Sequence, residues 1–481
     1  MGDEARRYAF PPLVNRGVLL GLGPLQLAVL AAGCLVAVGL VRRTSSAAGF
    51  ALGALALASA VAGACWPVAG RPPVWWLGVG AGWLARRRRG PRWSPAPASG
   101  LPGTAPPATA GRHGLAHGIE LLAAPEGPGA EPMGVVRDHL AGSWGAVVAV
   151  EGRSFALLDG GEKERRLAAW GSLLAAMARP GSPVHRLQWV EEVRPGRSDD
   201  LVAYLGDAGV AAQGGPLLDA RRGYEALVAG AGPASQSHTC LLLVAVHPRR
   251  ASGSLRTFGR GSHAVCDLVR REVRLLVGQL RSAGLPGARA LGLAELVTEL
   301  GSLAGGAAPV SRHAWPLATD EAWSALRADG SWHATYWVAE WPRLDVGPDF
   351  LTPLLATGGP RRLSMVMAPV EAARAVREAG SAVAADLADE ELRRRAGFVA
   401  SARRQREAAG VLRRQAELAD GHAEYRFSAY LTASGPDRAG LDQRCAEIEQ
   451  AAQQAHLEVR RLYGRQEEAW TWTLPLGRGL A

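Results

Sequence analysis

The sequence predicts a membrane-anchored α+β protein: an N-terminal two-helix transmembrane hairpin, then soluble mixed sheets with helices on one face. Three observations predict it. Two long runs near the N-terminus carry no charge. Nearly all of the excess positive charge flanks those runs. Beyond about residue 114, β-like apolar segments alternate with helical ones whose apolar residues recur at three and four.

Residues 17–41 contain no charged side chain, and neither do residues 47–70. A bilayer core takes about 20 residues of helix. Buried helices of soluble proteins keep a polar face, and the first run is too long for a signal peptide's apolar stretch. Residues 1–92 hold eleven Arg against Asp3 and Glu4, which is +9 of the chain's net +10. Arg6, Arg7 and Arg16 precede the first run, and Arg71, Arg86, Arg87, Arg88, Arg89 and Arg92 follow the second. Only Arg42 and Arg43 lie between the two. The positive-inside tendency puts both outer flanks in the cytoplasm. Val74-Trp75-Trp76-Leu77 and Trp83-Leu84 are too short to span. The segment at about 74–85 reads either as an interfacial helix, with Trp75, Trp76, Trp83 and Arg86 to Arg89 at the headgroups, or as a plain stop-transfer cluster.

Residues 91–113 are Pro, Ala, Gly and Ser without apolar periodicity, the composition of a flexible linker. The cytoplasmic α+β region then runs over 114–481, with two subdomains dividing near 235–330. Ser143 to Asp159 alternates about a Glu151-Gly152 turn like a hairpin. Residues 162–179 carry Leu167, Trp170, Leu173, Leu174 and Met177 on one helical face, and 183–190 returns as a strand. Strand 238–246, helix 264–282 and strand 332–341 repeat that order. Strand 363–367, a charged helical stretch over 370–420, strand 425–432 and helix 438–458 repeat it again. Ferredoxin-like units in tandem are one arrangement that fits. The 370–420 stretch reads as a solvated helical hairpin or as an arm that docks a partner.

The chemistry searched for is mostly missing. A Walker A loop needs Lys directly after Gly to reach the β and γ phosphates, and the one Lys, Lys163, follows Glu162. Outside residues 1–92 the net charge is about +1, too little for phosphate-backbone binding. There is no CxxC, HExxH or GxSxG, so neither metal nor cofactor is expected. The five cysteines show no disulfide framework. Gly259-Arg-Gly-Ser262 before a helix reads as a turn rather than an anion site. His185, His333 and His422 lie beside strand-like or helix-end segments and read as structural. From Tyr336 to Pro348, a strand runs into a loop set by Pro and Gly, with Trp337, Glu340, Trp341, Arg343 and Asp345 on it. That loop is a packing corner or a partner surface.

Tyr8-Ala-Phe-Pro-Pro-Leu-Val-Asn-Arg16, Gly23-Pro-Leu-Gln26, the two runs and the Trp/Arg-rich exit resemble PrgI-like membrane subunits of type IV secretion and conjugation machines. Other segments look like an actinobacterial family of two-span membrane proteins of this size. They include Ser154-Phe-Ala-Leu-Leu-Asp159, Gly181 to Val190, His333 to Pro342, Glu417 to His422 and Arg461-Leu-Tyr-Gly464. The soluble part is similar in plan to the N-terminal, non-motor region of conjugation ATPases. In those proteins a motor follows, whereas here only Trp470-Thr-Trp-Thr-Leu-Pro-Leu and a few further residues do. The resemblance therefore implies a non-catalytic membrane scaffold, oligomeric and in contact with lipids and other membrane subunits, that recruits a separate P-loop ATPase. A membrane-bound enzyme with an unrecognised site, or a regulatory membrane protein, is the alternative.

Overall fold

The computed structural model describes residues 7–10, 23–44, 46–66, 68, 70–88, 90, 92–93, 117–125, 131–151, 158–195, 223–224, 226–227, 236–251, 261–305, 315–395 and 402–480. It opens with α1 (Pro24–Thr44), α2 (Ala47–Cys65), α3 (Pro73–Arg87) and the short strand β1 (Arg92–Trp93). The helices α1 and α2 are long and apolar enough to cross a membrane, with mean hydropathy of 2.2 and 1.8. They pair as a hairpin through small residues. A Cβ added at Gly33 would lie 2.3 Å from that of Ala60, and one at Gly53 would lie 3.1 Å from the Ala37 carbonyl. Leu35, Phe50 and Leu55 point outward and are exposed, as lipid-facing residues must be. Helix α1 begins at Pro24, which suits the first helical turn because its missing N–H is not needed there, and residues 17–22 of the expected span lie outside the described ones. Helix α2 stops at Cys65, short of the expected 70. Val68 and Arg71 close a turn there, and Pro73 starts α3.

The body continues as β2 (Ile119–Ala123), β3 (Gly134–Asp138), β4 (Ser143–Val150), α4 (Gly160–Met177), β5 (Val184–Pro195), β6 (Gln236–Val246), α5 (Ser262–Ser282), β7 (Arg289–Ala290) and α6 (Leu293–Gly305). Then come β8 (Ala318–Glu321), β9 (Leu326–Ala328), β10 (Ser331–Glu340), α7 (Thr352–Ala356), β11 (Arg361–Pro369), α8 (Ala372–Arg395) and α9 (Ala402–Ala419). The described chain closes with β12 (Tyr425–Gly435), α10 (Arg438–Gln454), β13 (Glu458–Arg461) and α11 (Gln466–Thr471).

The described strands form one antiparallel sheet in the order β1-β8-β9-β10-β12-β11-β5-β6-β4-β3-β2, with β7 beside β4 and β13 beside β10. This order contains the same unit twice. The run β4-α4-β5-β6-α5-β7 lies as β7-β4-β6-β5, and β10-α7-β11-β12-α10-β13 lies as β13-β10-β12-β11. Each is a ferredoxin-like split βαβ, and the two join edge to edge through β5 and β11, with Val190 opposite Ser364. A two-strand meander precedes each unit, β2-β3 before the first and β8-β9 before the second, and it shares the outer edge of the unit's first strand with the last strand.

Alternation along the strands makes two cores. Leu242, Val244 and Val246 face α4 and α5, while Leu241, Leu243 and Ala245 face α6 and the C-terminal segment. Helix α5 lays Val265, Leu268, Val269, Val273, Leu276 and Leu280 on the sheet, each worth about 2 kcal/mol of apolar burial. Helix α10 covers Ala429, Leu431 and Ala433 on the same face, and Trp189 spans the two clusters.

Three expectations change. Helices cover both faces, since α6 and α11 lie opposite the others. Strand β4 is flanked by β3, β6 and β7, and the second half of the expected 143–159 hairpin includes residues outside the described ones. The 370–420 stretch is two helices in contact, in keeping with the helical-hairpin reading, whereas the final long helix ends at Gln454, giving way to β13. The linker 94–113 lies outside the described residues.

Candidate functional site

The most elaborated surface among the described residues joins the N-terminal helices to the body. Helix α3 packs against both α1 and α2 at the end of the hairpin where α1 starts and α2 stops. The Gln26 amide, at the start of α1, donates to the Ala64 carbonyl of α2 at 2.7 Å. The opposite side of α3 meets the body. Trp76 packs on Trp323 and Tyr463, with ring centroids 5.9 and 6.0 Å away, and Trp83 lies edge-on to Trp323 at 5.3 Å. Trp323 occupies the β8-β9 turn, and Tyr463 follows β13. Gly464 has φ of +69°, and a Cβ there would strike Trp323 and Val79, so this turn excludes side chains.

Charges reinforce the aromatic contact. Arg86 Nε donates to Glu321 at 3.0 Å, and Arg86 Nη2 donates to the Gly464 carbonyl. The other oxygen of Glu321 accepts the Glu467 backbone N–H at 3.1 Å, tying α3 to α11. Arg71 stacks over Trp75 at 3.7 Å and lies 5.6 Å from the Trp337 ring, and Arg460 donates to the Gly70 carbonyl at 3.2 Å. After α3, Arg92 and Trp93 add a strand to β8. A small polar cleft at this joint is lined by Arg86, Arg87, Gly90, Thr319, Asp320, Glu321 and Glu467.

The segment ahead of α1 also docks here. Tyr8 and Val346 exchange backbone hydrogen bonds of 2.9 and 3.0 Å, and Phe10 stacks on Trp341 at 4.9 Å and meets Phe350 at 5.4 Å. Chain before the hairpin and chain after it thus touch one another, which two spans accommodate.

Some of the candidate interface residues make contacts within the chain. Trp76, Trp83 and Arg86 face the body, Trp75 lies under Arg71, Arg87 sits over Trp83 at 4.9 Å, and Arg88 is exposed. Arg89 is outside the described residues. Of the candidate partner surface, Trp337 donates to Ser428 at 3.0 Å and Trp341 is covered by Phe10. Arg343 pairs with Glu340, and Asp345 is exposed. Sequence reasoning missed Trp323, Tyr463 and Glu321. The signal for Trp323 and Tyr463 was an aromatic residue in a short turn, where packing inside one strand layer does not need it, and Glu321 carried none.

The histidines are not brought together. His333 is fully buried on β10, its Nδ1 2.8 Å from the Ser434 hydroxyl and its ring 5.8 Å from Trp470. Burial, with the Arg362 guanidinium adding to it, pushes His333 down to about 3. His185 stands 5.5 Å from His247 at the start of β5 and is pushed to about 4 by burial, then by Arg186, Arg250 and His247. His422 is exposed just beyond α9. Lys163 donates to Asp349 at 2.8 Å, which links α4 to the loop before α7. No group of three or more His, Cys, Asp or Glu that could hold a metal occurs among the described residues. Residues 259 and 260 of the Gly259–Ser262 turn lie outside them.

Neutral His333 makes the fold acid-sensitive. The unfolded chain takes up this proton as pH falls through 6.5, whereas the folded protein resists it until about 3. Folding stability is therefore lost between those values as pH drops. In denaturant titrations across that range, His333→Gln is expected to flatten the dependence of stability on pH by about one proton. An unchanged slope would mean that His333 is not the buried neutral base.

Residues 234–338 match the model of the family described as "Putative type VII ESX secretion system translocon, EccE". The matched stretch runs from β6 through α5, α6, β8 and β9 into β10, so it contains the chain connection from the first unit to the second, and Trp323. Comparison with curated proteins yields no match. The EccE match points to a membrane subunit of a secretion system, in keeping with the two apolar helices. It indicates the type VII class. The type IV, conjugation and PrgI-like assignments of the sequence resemblance are corrected accordingly: the N-terminal motif that suggested them reflects the general demands of a two-helix anchor, namely apolar runs with an aromatic and basic exit.

Proposed function

We propose that this chain is a non-catalytic membrane scaffold of a type VII secretion translocon, multi-pass, with its N-terminus and body in the cytoplasm, and that it holds a separate P-loop ATPase near other membrane subunits. The observation that carries the reading is the EccE match over 234–338, on the part of the body that receives the anchor helix. The excess of Arg outside the two apolar runs supports the orientation. A scaffold without chemistry of its own is supported by the separation of His185, His333 and His422 and by the commitment of Lys163 to Asp349. A body fixed to its anchor by aromatic packing and an ion pair can present its remaining surface in one orientation above the membrane. The test is purification of the tagged full chain in mild detergent from cells that express its neighbouring genes. Membrane subunits and a P-loop ATPase are expected to accompany it, and recovery only as an isolated monomer would refute the proposal.

A further inference from the structure

Helix α3 has a second face that the body leaves bare. At about 100° per residue, Trp76, Val79, Trp83 and Arg86 project toward the body, while Leu77, Ala81, Leu84 and Arg88 fall within about 60° of one another on the opposite side. Leu77 is 72% exposed and Leu84 46%, and Trp66, in the connection from α2, is 69% exposed. Isolated exposed leucines need no explanation. Two of them in one stripe, ending in an exposed arginine and starting beside a membrane hairpin, do need one.

We infer that this stripe lies on the bilayer surface: α3 is wedged between the body and an anionic leaflet, with Leu77 and Leu84 among the upper acyl carbons and Arg88 at phosphate groups. The inference rests on the membrane-anchored reading and assigns the lipid-contacting residues within it. Two features favour lipid over a partner helix. The stripe continues the exposed apolar surface of α1 and α2, since α3 packs against both at one end of their hairpin. Its charge also suits an anionic lipid: α3 contains no acidic residue, and beyond Arg86, which pairs with Glu321, Arg87 and Arg88 are exposed. The division of labour differs from an ordinary interfacial helix in that the tryptophans Trp76 and Trp83 serve the protein contact while the leucines serve the lipid.

The test places the photo-cross-linker benzoylphenylalanine singly at Leu35, Trp76, Leu77 and Leu84 of the full chain. Each variant is reconstituted in vesicles of equal parts phosphatidylcholine and phosphatidylglycerol, and adducts are identified by mass spectrometry. Leu77 and Leu84 are expected to give phospholipid adducts, and Trp76 to give adducts within the body near Trp323 and Tyr463. Adducts to a polypeptide at Leu77 and Leu84, or no adduct there, would overturn the inference. Leu35 reports on the anchor itself: lipid adducts at Leu35 without any at Leu77 and Leu84 would sink the wedge alone, whereas their absence at Leu35 would sink the membrane reading beneath it.

Discussion

Replacing Trp323 with Ala is expected to free α3 from the body while leaving both folded. Trp323 receives Trp76 at 5.9 Å, Trp83 at 5.3 Å and Tyr463 at 6.4 Å, so on the body's side of the joint it is the side chain that meets both tryptophans of α3. Removing a packed Trp costs about 3 kcal/mol or more, and that cost falls on opening of the joint, on the order of 10²-fold in its equilibrium. The three arginines from Arg86 to Arg88 supply a readout. Trypsin cleavage at these residues in the detergent-solubilised chain should accelerate in proportion to opening. A cleavage rate equal to that of the parent protein would show that the aromatic cluster does not hold the anchor. Glu321→Gln should act in the same direction but weakly, since Arg86 is about a third exposed and retains the Gly464 carbonyl.

A larger loss of overall stability is expected from Arg362→Ala. Arg362 and Glu192 face one another at 3.1 Å across the seam between β11 and β5, both nearly inaccessible to solvent. Arg362 also donates to the Leu303 carbonyl at the end of α6 and to Thr473 at 3.3 Å. Truncation leaves Glu192 with the partly exposed Arg194 as its remaining cation and strands the Leu303 carbonyl in a closed interior, which costs about 3 kcal/mol, the lower end for a buried pair broken on one side. Thermal unfolding followed by circular dichroism should fall by on the order of 10 °C. The double change Arg362→Met with Glu192→Leu should recover part of that loss, because it removes both charges of the pair and keeps volume while the partly exposed Arg194 retains the Ser302 hydroxyl. If the single and double variants melt alike, the pair is not what the seam depends on.

The apolar runs, the strands and α5 were legible because their signal is local: missing charge, alternation, or a stripe at three and four residues. The duplicated topology was legible only as an option. Its two central hairpins are not hairpins in sequence, since 40 residues separate β5 from β6 and α8 with α9 separates β11 from β12. Helix α6 had its signal in Leu296, Leu300 and Leu303 and was passed over among small residues. Gln188, Glu192 and Arg362 look like the solvent side of strands. They are buried because the C-terminal segment lies on them, the Gln188 amide binding the Ser364 hydroxyl and the Leu474 carbonyl at 2.8 Å and accepting from Gly477 at 2.7 Å. Nothing local to β5 or β11 reveals a cover contributed by residues 470–480. The tryptophans of α3 pose the same difficulty, because a headgroup layer and an aromatic pocket select the same side chains.

Strands β1 and β2 are neighbours along the chain and yet stand at opposite rims of the sheet. Ten strand spacings separate them, about 48 Å, while the 25 residues from 94 to 118 can stretch to roughly 90 Å. The anchor thus enters the body at one rim of the sheet, and the strands that open the first unit lie at the other, so the chain's own length from 94 to 118 suffices to reach across all eleven strands.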